Sequence, residues 1–513
     1  MEFGNPNERA DVCLFLEGTY PYVPGGVSGW THDLIREQSH LKFHIVALLP
    51  PDAKLKLRYD LPPNVISMTN VFLQRLPKGR HALPTQRDAS VLFSVVEQAL
   101  HELHTNPHIS ALKHLLDAFG AHKNLGSRVL LDSVDAWNML LSIYNRTMED
   151  CAFLDFFWSW RALLGGMYSV LLSPLPKADV YHALCTGYAG LATVRASLET
   201  GRPCLITEHG IYTNERRIEI ASADWLVDQK AFSLAMKHSL EDRNLRDFWV
   251  DMFSAYSRMT YEVCTHIITL YEGNQDFQRM DGADERKMMI IPNHIDCEKF
   301  SPITRVEDDI PTVALIGRVV PIKDIKTFIR SMALLRDELP ALRVYIMGPA
   351  DEDPLYYEEC QKLVEREDLG PVLTFTGRVN LMEYLGRVDV VVLTSISEAQ
   401  PLVILEVGAA GIPCVATDVG ACREMILGRS DEKPELGPGG AITPLSNARA
   451  VASETLRLLA DASHYQRCSK AIKERVHTYY NRERQKKTYN EIYHELISTA
   501  KMEADAEKVR EAS

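Results

Sequence analysis

Two glutamates separated by seven residues, Glu398 and Glu406, are the pair in this sequence best placed to act on one ligand. They lie in Ser395-Ile396-Ser397-Glu398-Ala399-Gln400-Pro401-Leu402-Val403-Ile404-Leu405-Glu406. Two such carboxylates can serve acid–base catalysis or hold ligand hydroxyls. Pro401 suits the first position of a helix, where its missing N–H loses no partner. Glu398 then falls in the loop before that helix and Glu406 inside it. Three and four residues from Glu406 stand Leu402, Val403, Ala409 and Ala410, which puts its carboxylate on the apolar face. A carboxylate buried there without a partner is costly, so it calls for an internal ion pair or a ligand hydroxyl.

Three other motifs carry groups of a complementary kind. Gly317-Arg318-Val319-Val320-Pro321-Ile322-Lys323 precedes an amphipathic helix marked by Ile325, Phe328, Ile329 and Met332 and started by Asp324 or its neighbours. Arg318 and Lys323 at such a place either grip a diphosphate or remain solvated surface charges. The run Glu17-Gly18-Thr19-Tyr20-Pro21-Tyr22-Val23-Pro24-Gly25-Gly26-Val27-Ser28-Gly29 leads into a helix expected from near Ser28. Its glycines either let backbone N–H groups approach a phosphate or simply make a tight turn. It does not match the G-x-G-x-x-G dinucleotide pattern. Thr207-Glu208-His209-Gly210 offers His209, a structural histidine or a holder of a substrate hydroxyl or carbonyl. The sequence shows no H-E-x-x-H, no closely spaced Asp pair between strands and no Walker loop, so no metal site is expected.

The elements that must position these groups are those of parallel α/β folding, short Val- and Ile-rich runs alternating with helical periodicity. Strands are expected at Val12–Leu16, Phe43–Leu49, Val180–Leu184, Cys204–Thr207, Ile267–Leu270 and Met289–Ile291. A second series follows at Thr312–Ile316, Arg343–Met347, Leu373–Phe375, Val390–Thr394 and Cys414–Thr417. The four motifs fall at strand ends or helix starts, where open parallel sheets bind ligands. Residues from about 75 to 176 read as a helical insertion carrying Trp137, Phe153, Phe156, Phe157, Trp158 and Trp160, and Asp224 to Val263 as another helical stretch. The expected division is 1–295, an N-terminal Rossmann-like domain; 296–480, a second Rossmann-like domain; and 481–513, a C-terminal helix packing back on the first domain, with a frayed tail.

Bulk properties agree. A chain of 513 residues exceeds one ordinary core, and 46% hydrophobic with 24% charged residues is a globular composition. The formal charge of -13 argues against nucleic acid as a partner. The polar start, Met1 to Asp11, lacks a signal core, and charges such as Arg146, Glu149 and Asp155 interrupt the most apolar stretch. Ten cysteines without a C-x-x-C pair, with Cys13, Cys204 and Cys414 in apolar strands, fit a reducing cytoplasmic compartment.

In combination these motifs resemble the retaining glycosyltransferases of family four. The resemblance is densest at 11–38, 203–220, 265–300 and 312–428, and the Glu398/Glu406 spacing is similar to that family's Glu signature. EGTYPYVPGGVSGW, TEHGIYTNERRIEI and GRVVPIKDIKTFIRSM look like the branch that serves the Pel exopolysaccharide system. The resemblance implies a GT-B fold, two Rossmann-like domains facing across a cleft, with the helical insertion in the first. It implies a UDP-hexose donor, UDP-glucose first, a saccharide acceptor and no separate cofactor. Arg318 and Lys323 would bind the donor diphosphate, with Gly25 and Gly26 approaching it from the other domain. Glu398, with the backbone of Ala399, Gln400, Pro401 and Leu402, would hold the sugar, Glu406 the ribose, and His209 the sugar near its reacting carbon. The uracil would lie near Arg378 and Val379. Docking to inner-membrane components of the Pel machinery, at the cytoplasmic face, is the implied protein partnership. Ala399 and His294 stand where glycine is common in the family, and the lysine of the starch and glycogen synthase branch is absent between Glu17 and Gly29. The alternatives on the same fold are a UDP-sugar 2-epimerase and a non-catalytic UDP-sugar-binding subunit.

Overall fold

The computed structural model describes residues 3–122, 124–148, 151–216, 245–306 and 308–511. They gather into two compact units. Unit 1 takes the described residues of Met1–Thr269, Asn274–Ile290 and Tyr489–Ser513, and unit 2 those of Leu270–Gly273 and Ile291–Thr488.

Unit 1 is built on strands β1 (Ala10–Glu17), β2 (Phe43–Leu49), β3 (Val65–Phe72), β4 (Ala178–Ala183), β5 (Cys204–Glu208), β6 (His266–Thr269) and β7 (Met288–Ile290). They form a parallel sheet in the order β3-β2-β1-β4-β5-β6-β7. Val12 lies opposite both Phe43 and Val180, and β2 and β4 are buried along their whole length. Both faces are therefore covered, which is why β2 reads as a nearly continuous apolar run, interrupted by His44, and why β4 buries Asp179 and His182 among its apolar residues. Chain order reverses between β1 and β4, the switch point at which such sheets open a crevice beyond their strand ends.

Helix α1 (Gly26–Glu37) follows β1. Between β3 and β4 come α2 (Gln86–Thr105), α3 (Ile109–Gly120), α4 (Val134–Thr147) and α5 (Phe153–Leu172), the expected insertion. A capping box of Thr85 and Asp88 starts α2, and the Ser133 hydroxyl caps α4. Leu92, Leu112, Leu163 and Phe156 join Phe15 and Val46 of the sheet in one apolar core. Trp160 is inside that core, while Trp158 and Trp137 are exposed. The unit continues with α6 (Tyr188–Thr200), α7 (Leu245–Val263) and, from Asn274, α8 (Glu272–Met280). Of the expected helical stretch Asp224 to Val263, the part before Leu245 lies outside the described residues.

Unit 2 repeats the plan with β8 (Thr312–Ile316), β9 (Arg343–Met347), β10 (Leu373–Gly377), β11 (Val390–Leu393), β12 (Cys414–Thr417) and β13 (Gly440–Thr443). Their order is β10-β9-β8-β11-β12-β13, all parallel, with the switch point between β8 and β11. The helices used below are α9 (Cys297–Phe300), α10 (Ile325–Glu338), α11 (Pro354–Arg366), α12 (Leu402–Ala409), α13 (Cys422–Leu427), α14 (Ala448–Ala460), α15 (Ala462–Tyr479) and α16 (Arg482–Glu511), whose residues from Tyr489 on belong to unit 1. Val390 and Val392 face one apolar cluster with Phe328 and Ile329; Val391 and Leu393 face the other with Ile404 and Leu405. This strand alternation gives each face of the sheet its own layer of helices.

Two strands escape the sequence pattern. In β3 the residues Ser67, Thr69 and Asn70 break the apolar run, and β13 has four residues opened by a glycine. Both are end strands of their sheets, and among the described residues the outer flank of β3 meets only the isolated bridge from Phe3 to Met68. All ten cysteines are free thiols. Among the described residues no helix is long and apolar enough to cross a membrane.

Candidate functional site

In unit 2 the groups singled out from the sequence converge on the ends of β8 and β11, the two strands flanking the switch point. The loop after β8 makes a single turn at Pro321–Lys323 and enters α10 through Asp324, whose carboxylate accepts from the Thr327 N–H at 3.2 Å. Thr394, at the end of β11, donates to the carbonyls of Lys323 at 3.0 Å and Asp324 at 2.9 Å. The Ile396 N–H donates to the Ile322 carbonyl at 2.8 Å. These bonds bring the loop that carries Lys323 onto the loop that carries Glu398. The Lys323 ammonium pairs with Oε1 of Glu398, and the Ser395 hydroxyl donates to the same oxygen at 2.6 Å. Only 22% of the Lys323 side chain and 13% of the Glu398 side chain are exposed, so this ion pair is far less screened than a surface pair.

The residues after Glu398 are held from behind. The Ala421 N–H donates to the Ala399 carbonyl at 2.8 Å. Gly420 adopts φ +51, and a Cβ on it would come within 2.0 Å of the Glu398 carbonyl oxygen. Only glycine allows this approach. Gly420→Ala is expected to push the loop away from β12, lowering stability by ~1–3 kcal/mol through the backbone alone. Calorimetric melting checks this, and a variant as stable as the parent would remove the close contact from the account. Gln400 is buried, its Oε1 accepting from the Asn293 N–H at 2.6 Å and its Nε2 reaching the Leu270 carbonyl at 3.4 Å. Its side chain thus anchors the segment before His294, and its backbone N–H is what remains for a ligand.

Pro401 is the N-cap of α12, and the helix begins at Leu402, one residue later than the sequence suggests. Pro401 has φ −72 and ψ 113, extended backbone that ends the loop before the helix turns. Among the described residues, the N–H groups of Ala399, Gln400, Leu402 and Val403 donate to no acceptor. They leave a helix start open to an anion or a hydroxyl.

Glu406 is in the second turn of α12. Burial raises its carboxyl above the usual 4.5, opposed by the charge of Lys299 on α9. Its carboxylate makes no hydrogen bond among the described residues. The contrast with Glu432 is instructive. That buried carboxylate is closed off by Arg475 at 2.7 Å and by the Leu436 N–H at 2.9 Å. Glu406 is a costly carboxylate left open, the condition that a ligand hydroxyl would satisfy.

Arg318 follows β8 as expected, but its guanidinium binds both carboxylate oxygens of Glu352 at 2.6 Å, each side chain half exposed. Glu352 lies beyond the end of β9. The structure therefore brings Lys323, Glu398 and the start of α12 together while Arg318 is turned toward its own acid. Val379, half-buried beyond β10, packs on the apolar cluster around Leu393.

The candidates of unit 1 gather beyond its own strand ends. Gly25 is the N-cap of α1 and Gly26 its first residue, two positions before the expected start at Ser28. A Cβ on either glycine would meet open space. Glu17, which opens the same motif, has its own work: Oε2 accepts from the Tyr188 N–H at 2.7 Å and Oε1 from the Tyr212 hydroxyl at 2.6 Å. It thereby neutralises the start of α6. His209, just past β5, rests edge-to-face on Trp30 of α1 with ring centroids 4.6 Å apart. Burial lowers its pKa to about 4, so the imidazole is neutral, and its Nε2 is buried without a partner.

Sequence reasoning passed over Glu208. Its side chain is fully buried, accepting from the Tyr261 hydroxyl at 2.8 Å and from Gln278 Nε2 at 2.7 Å. Burial raises its pKa from 4.5 to about 7. The available signal was a carboxylate at the inward end of an apolar strand. Because the folded pKa is the higher one, its contribution to stability is full below pH 4.5 and is lost as pH rises through about 7. Glu208→Gln is expected to flatten that fall, which melting temperatures measured from pH 4 to 8 against the parent would reveal. Among the described residues no group of three or more His, Cys, Asp or Glu side chains is arranged to hold a metal ion.

A family profile described as a domain of unknown function, DUF3492, matches residues 10–286. The chain belongs to the DUF3492 family. A second profile, described as glycosyl transferases group 1, matches 310–461, the span that holds Arg318, Lys323, Glu398 and Glu406. This DUF3492 protein is 32% identical over 155 residues to D-inositol 3-phosphate glycosyltransferase of Streptomyces scabiei, covering 27% of this chain and 35% of that one. It is 28% identical over 218 residues, 40% of this chain and 54% of the other, to N,N'-diacetylbacillosaminyl-diphospho-undecaprenol alpha-1,3-N-acetylgalactosaminyltransferase of Campylobacter jejuni. The chain thus spans from about a third to about half the length of these curated relatives. Among solved structures, HepE of Anabaena in complex with UDP matches with a TM-score of 0.56 at 12% identity, over 94% of this chain and 98% of that one. Both units are Rossmann-like, and the architecture is that of the GT-B proteins.

Proposed function

We propose that this DUF3492 protein is a retaining hexosyltransferase that uses a UDP-sugar, UDP-glucose first, to extend an exopolysaccharide of the Pel type, as PelF does. The observation that carries the reading is the Lys323–Glu398 pair at the switch point of unit 2, beside the unbonded N–H groups that open α12. A diphosphate brings two negative charges and competes with one carboxylate for Lys323. Once Lys323 turns to the diphosphate, Glu398 is freed to accept from sugar hydroxyls, and the open carboxylate of Glu406 suits the ribose diol. Arg318 joins the diphosphate on leaving Glu352, and the backbone near Val379 takes the uracil. From the sequence resemblance, the neutral His209 is given a contact to the donor sugar near its reacting carbon, and Gly25 and Gly26 a contact to the donor phosphate.

The chemistry follows from charge. The bond from the anomeric carbon to the diphosphate oxygen breaks, leaving positive charge on the sugar and negative charge on UDP, which Lys323 and Arg318 stabilise once they have moved onto the diphosphate. The acceptor hydroxyl attacks from the face that UDP leaves, and its proton passes to the departing diphosphate. The match to the group 1 glycosyl transferase profile supports a transferase, HepE is described with UDP bound, and the PelF-like motifs support the polysaccharide role. A docking partnership with inner-membrane components of the Pel machinery belongs to the same proposal.

A thermal-shift panel of UDP-, GDP- and ADP-sugars tests the donor. The expected result is a rise in melting temperature with UDP-glucose that grows with its concentration, since a ligand that binds only the folded state stabilises it. A shift with GDP- or ADP-sugars alone would overturn the assignment. Transfer is expected to persist in EDTA, because side-chain cations serve the leaving group. Strict dependence on an added divalent metal, measured by UDP release, would contradict this.

A further inference from the structure

The imidazole of His209 has neither ring nitrogen in a hydrogen bond among the described residues, so ring packing alone sets its orientation. That packing comes from Trp30, whose ring is buried and meets the imidazole at 77°. Trp30 is itself held by Tyr489 of α16, with centroids 5.4 Å apart at 74°. Tyr489 is fully buried, and its hydroxyl lies 2.9 Å from Thr207 Oγ1, two residues before His209. Thr207 continues to His182 Nε2 at 2.9 Å, and His182 Nδ1 to the Tyr493 hydroxyl, also on α16, at 2.8 Å. His182 is neutral, burial taking its pKa down to about 3, so it can donate at one nitrogen and accept at the other. A single helix near the end of the chain thus touches both supports of His209, the ring beneath it and the strand that carries it.

We propose that Trp30 and Tyr489 are the positioning residues of His209, and that α16 is thereby a working part of the active site although it touches no substrate. The inference rests on the reading of His209 as a contact of the donor sugar. Removing the Tyr489 hydroxyl takes a hydrogen bond from the Thr207 side chain at the end of β5 while leaving the ring beside Trp30; shrinking Trp30 leaves the imidazole without its edge contact. Either change lets the ring of His209 drift by a fraction of an ångström to one ångström, a displacement that costs up to about 100-fold in rate.

The test uses the full chain with 13C-labelled histidine, the His209 ring signal assigned by its loss in His209→Gln. Tyr489→Phe and Trp30→Phe are expected to move that signal and to lower kcat about 10- to 100-fold with donor KM changed less than about threefold. A core role without positioning would lower the melting temperature and leave the ring signal where it is. An unmoved His209 signal in both variants overturns the inference, whatever the activity. Full activity of His209→Gln would instead overturn the reading of His209 as a donor contact, and the ring signal still reports whether Trp30 and Tyr489 hold it. Tyr489→Phe preserves the ring and its apolar contacts, so it keeps the test open should Trp30→Phe fail to fold.

Discussion

Glu406→Gln is expected to weaken UDP-sugar binding by roughly 10- to 100-fold while leaving the protein as stable as before or more so. The two halves of this result have one cause. Glu406 sits on the second turn of α12 with its carboxyl raised above 4.5 by burial and with no hydrogen bond among the described residues. A folded pKa above the unfolded one means that ionising Glu406 costs stability, so its contribution is full at low pH and is lost as pH rises through the folded value. Glutamine keeps the size and removes the charge, so melting at neutral pH should not fall. Binding should fall, because a charged acceptor facing the ribose hydroxyls contributes about 1.5–3 kcal/mol. Glu432 offers the control. Its carboxylate is closed by Arg475, so Glu432→Gln should lower stability by leaving a buried guanidinium unpaired. Titration calorimetry with UDP and with UDP-glucose, beside melting curves, separates the effects. Parental affinity in Glu406→Gln would remove the ribose role.

How far the sequence foretells this site depends on the range of the interactions. Phe43–Leu49 and Thr312–Ile316 are legible as strands because burial on both faces makes them apolar but for His44 and the opening Thr312. β3 is not, since Ser67, Thr69 and Asn70 give its pattern the look of a loop. The helix starts are legible to within one or two residues, Gly26 for Ser28 and Leu402 for Pro401, because local turn chemistry sets them. Resemblance to glycosyltransferases of family four gathers the site residues, but not their present partners. Lys323 and Glu398 are 75 residues apart and meet only because β8 and β11 are neighbours at the switch point. Strand order is a property of the whole sheet and leaves no local mark. The same holds for Glu352 opposite Arg318 and for Gln400 tied to Asn293. Glu208 shows the opposite case. It stands in a motif singled out from the sequence, yet its burial depends on Tyr261 and Gln278, which reach it from α7 and α8.

Those partners give the two cations different weights. Lys323→Ala is expected to lower kcat by about 100- to 1,000-fold, the scale for removing one preorganised group that meets developing negative charge. Arg318→Ala is expected to lose about tenfold. Lys323 is largely buried and its loop is pinned by Thr394, so its charge is already in place and poorly screened. Arg318 is half exposed and grips Glu352, so its use in the reaction first requires that pair to open. Opening it offsets part of what the guanidinium contributes to the leaving group. Glu352→Gln should accordingly raise donor affinity modestly, since it releases Arg318. In Lys323→Ala the carboxylate of Glu398 keeps only the Ser395 hydroxyl among the described residues, so some of the loss would come from that stranded charge. Lys323→Ala/Glu398→Gln tells the two apart. If the lysine acts on the diphosphate, kcat of the double variant stays far below that of Glu398→Gln alone; a double variant equal to Glu398→Gln would reduce Lys323 to a counter-ion for Glu398. Steady-state rates of UDP release, with saturating donor and acceptor, supply the measurement.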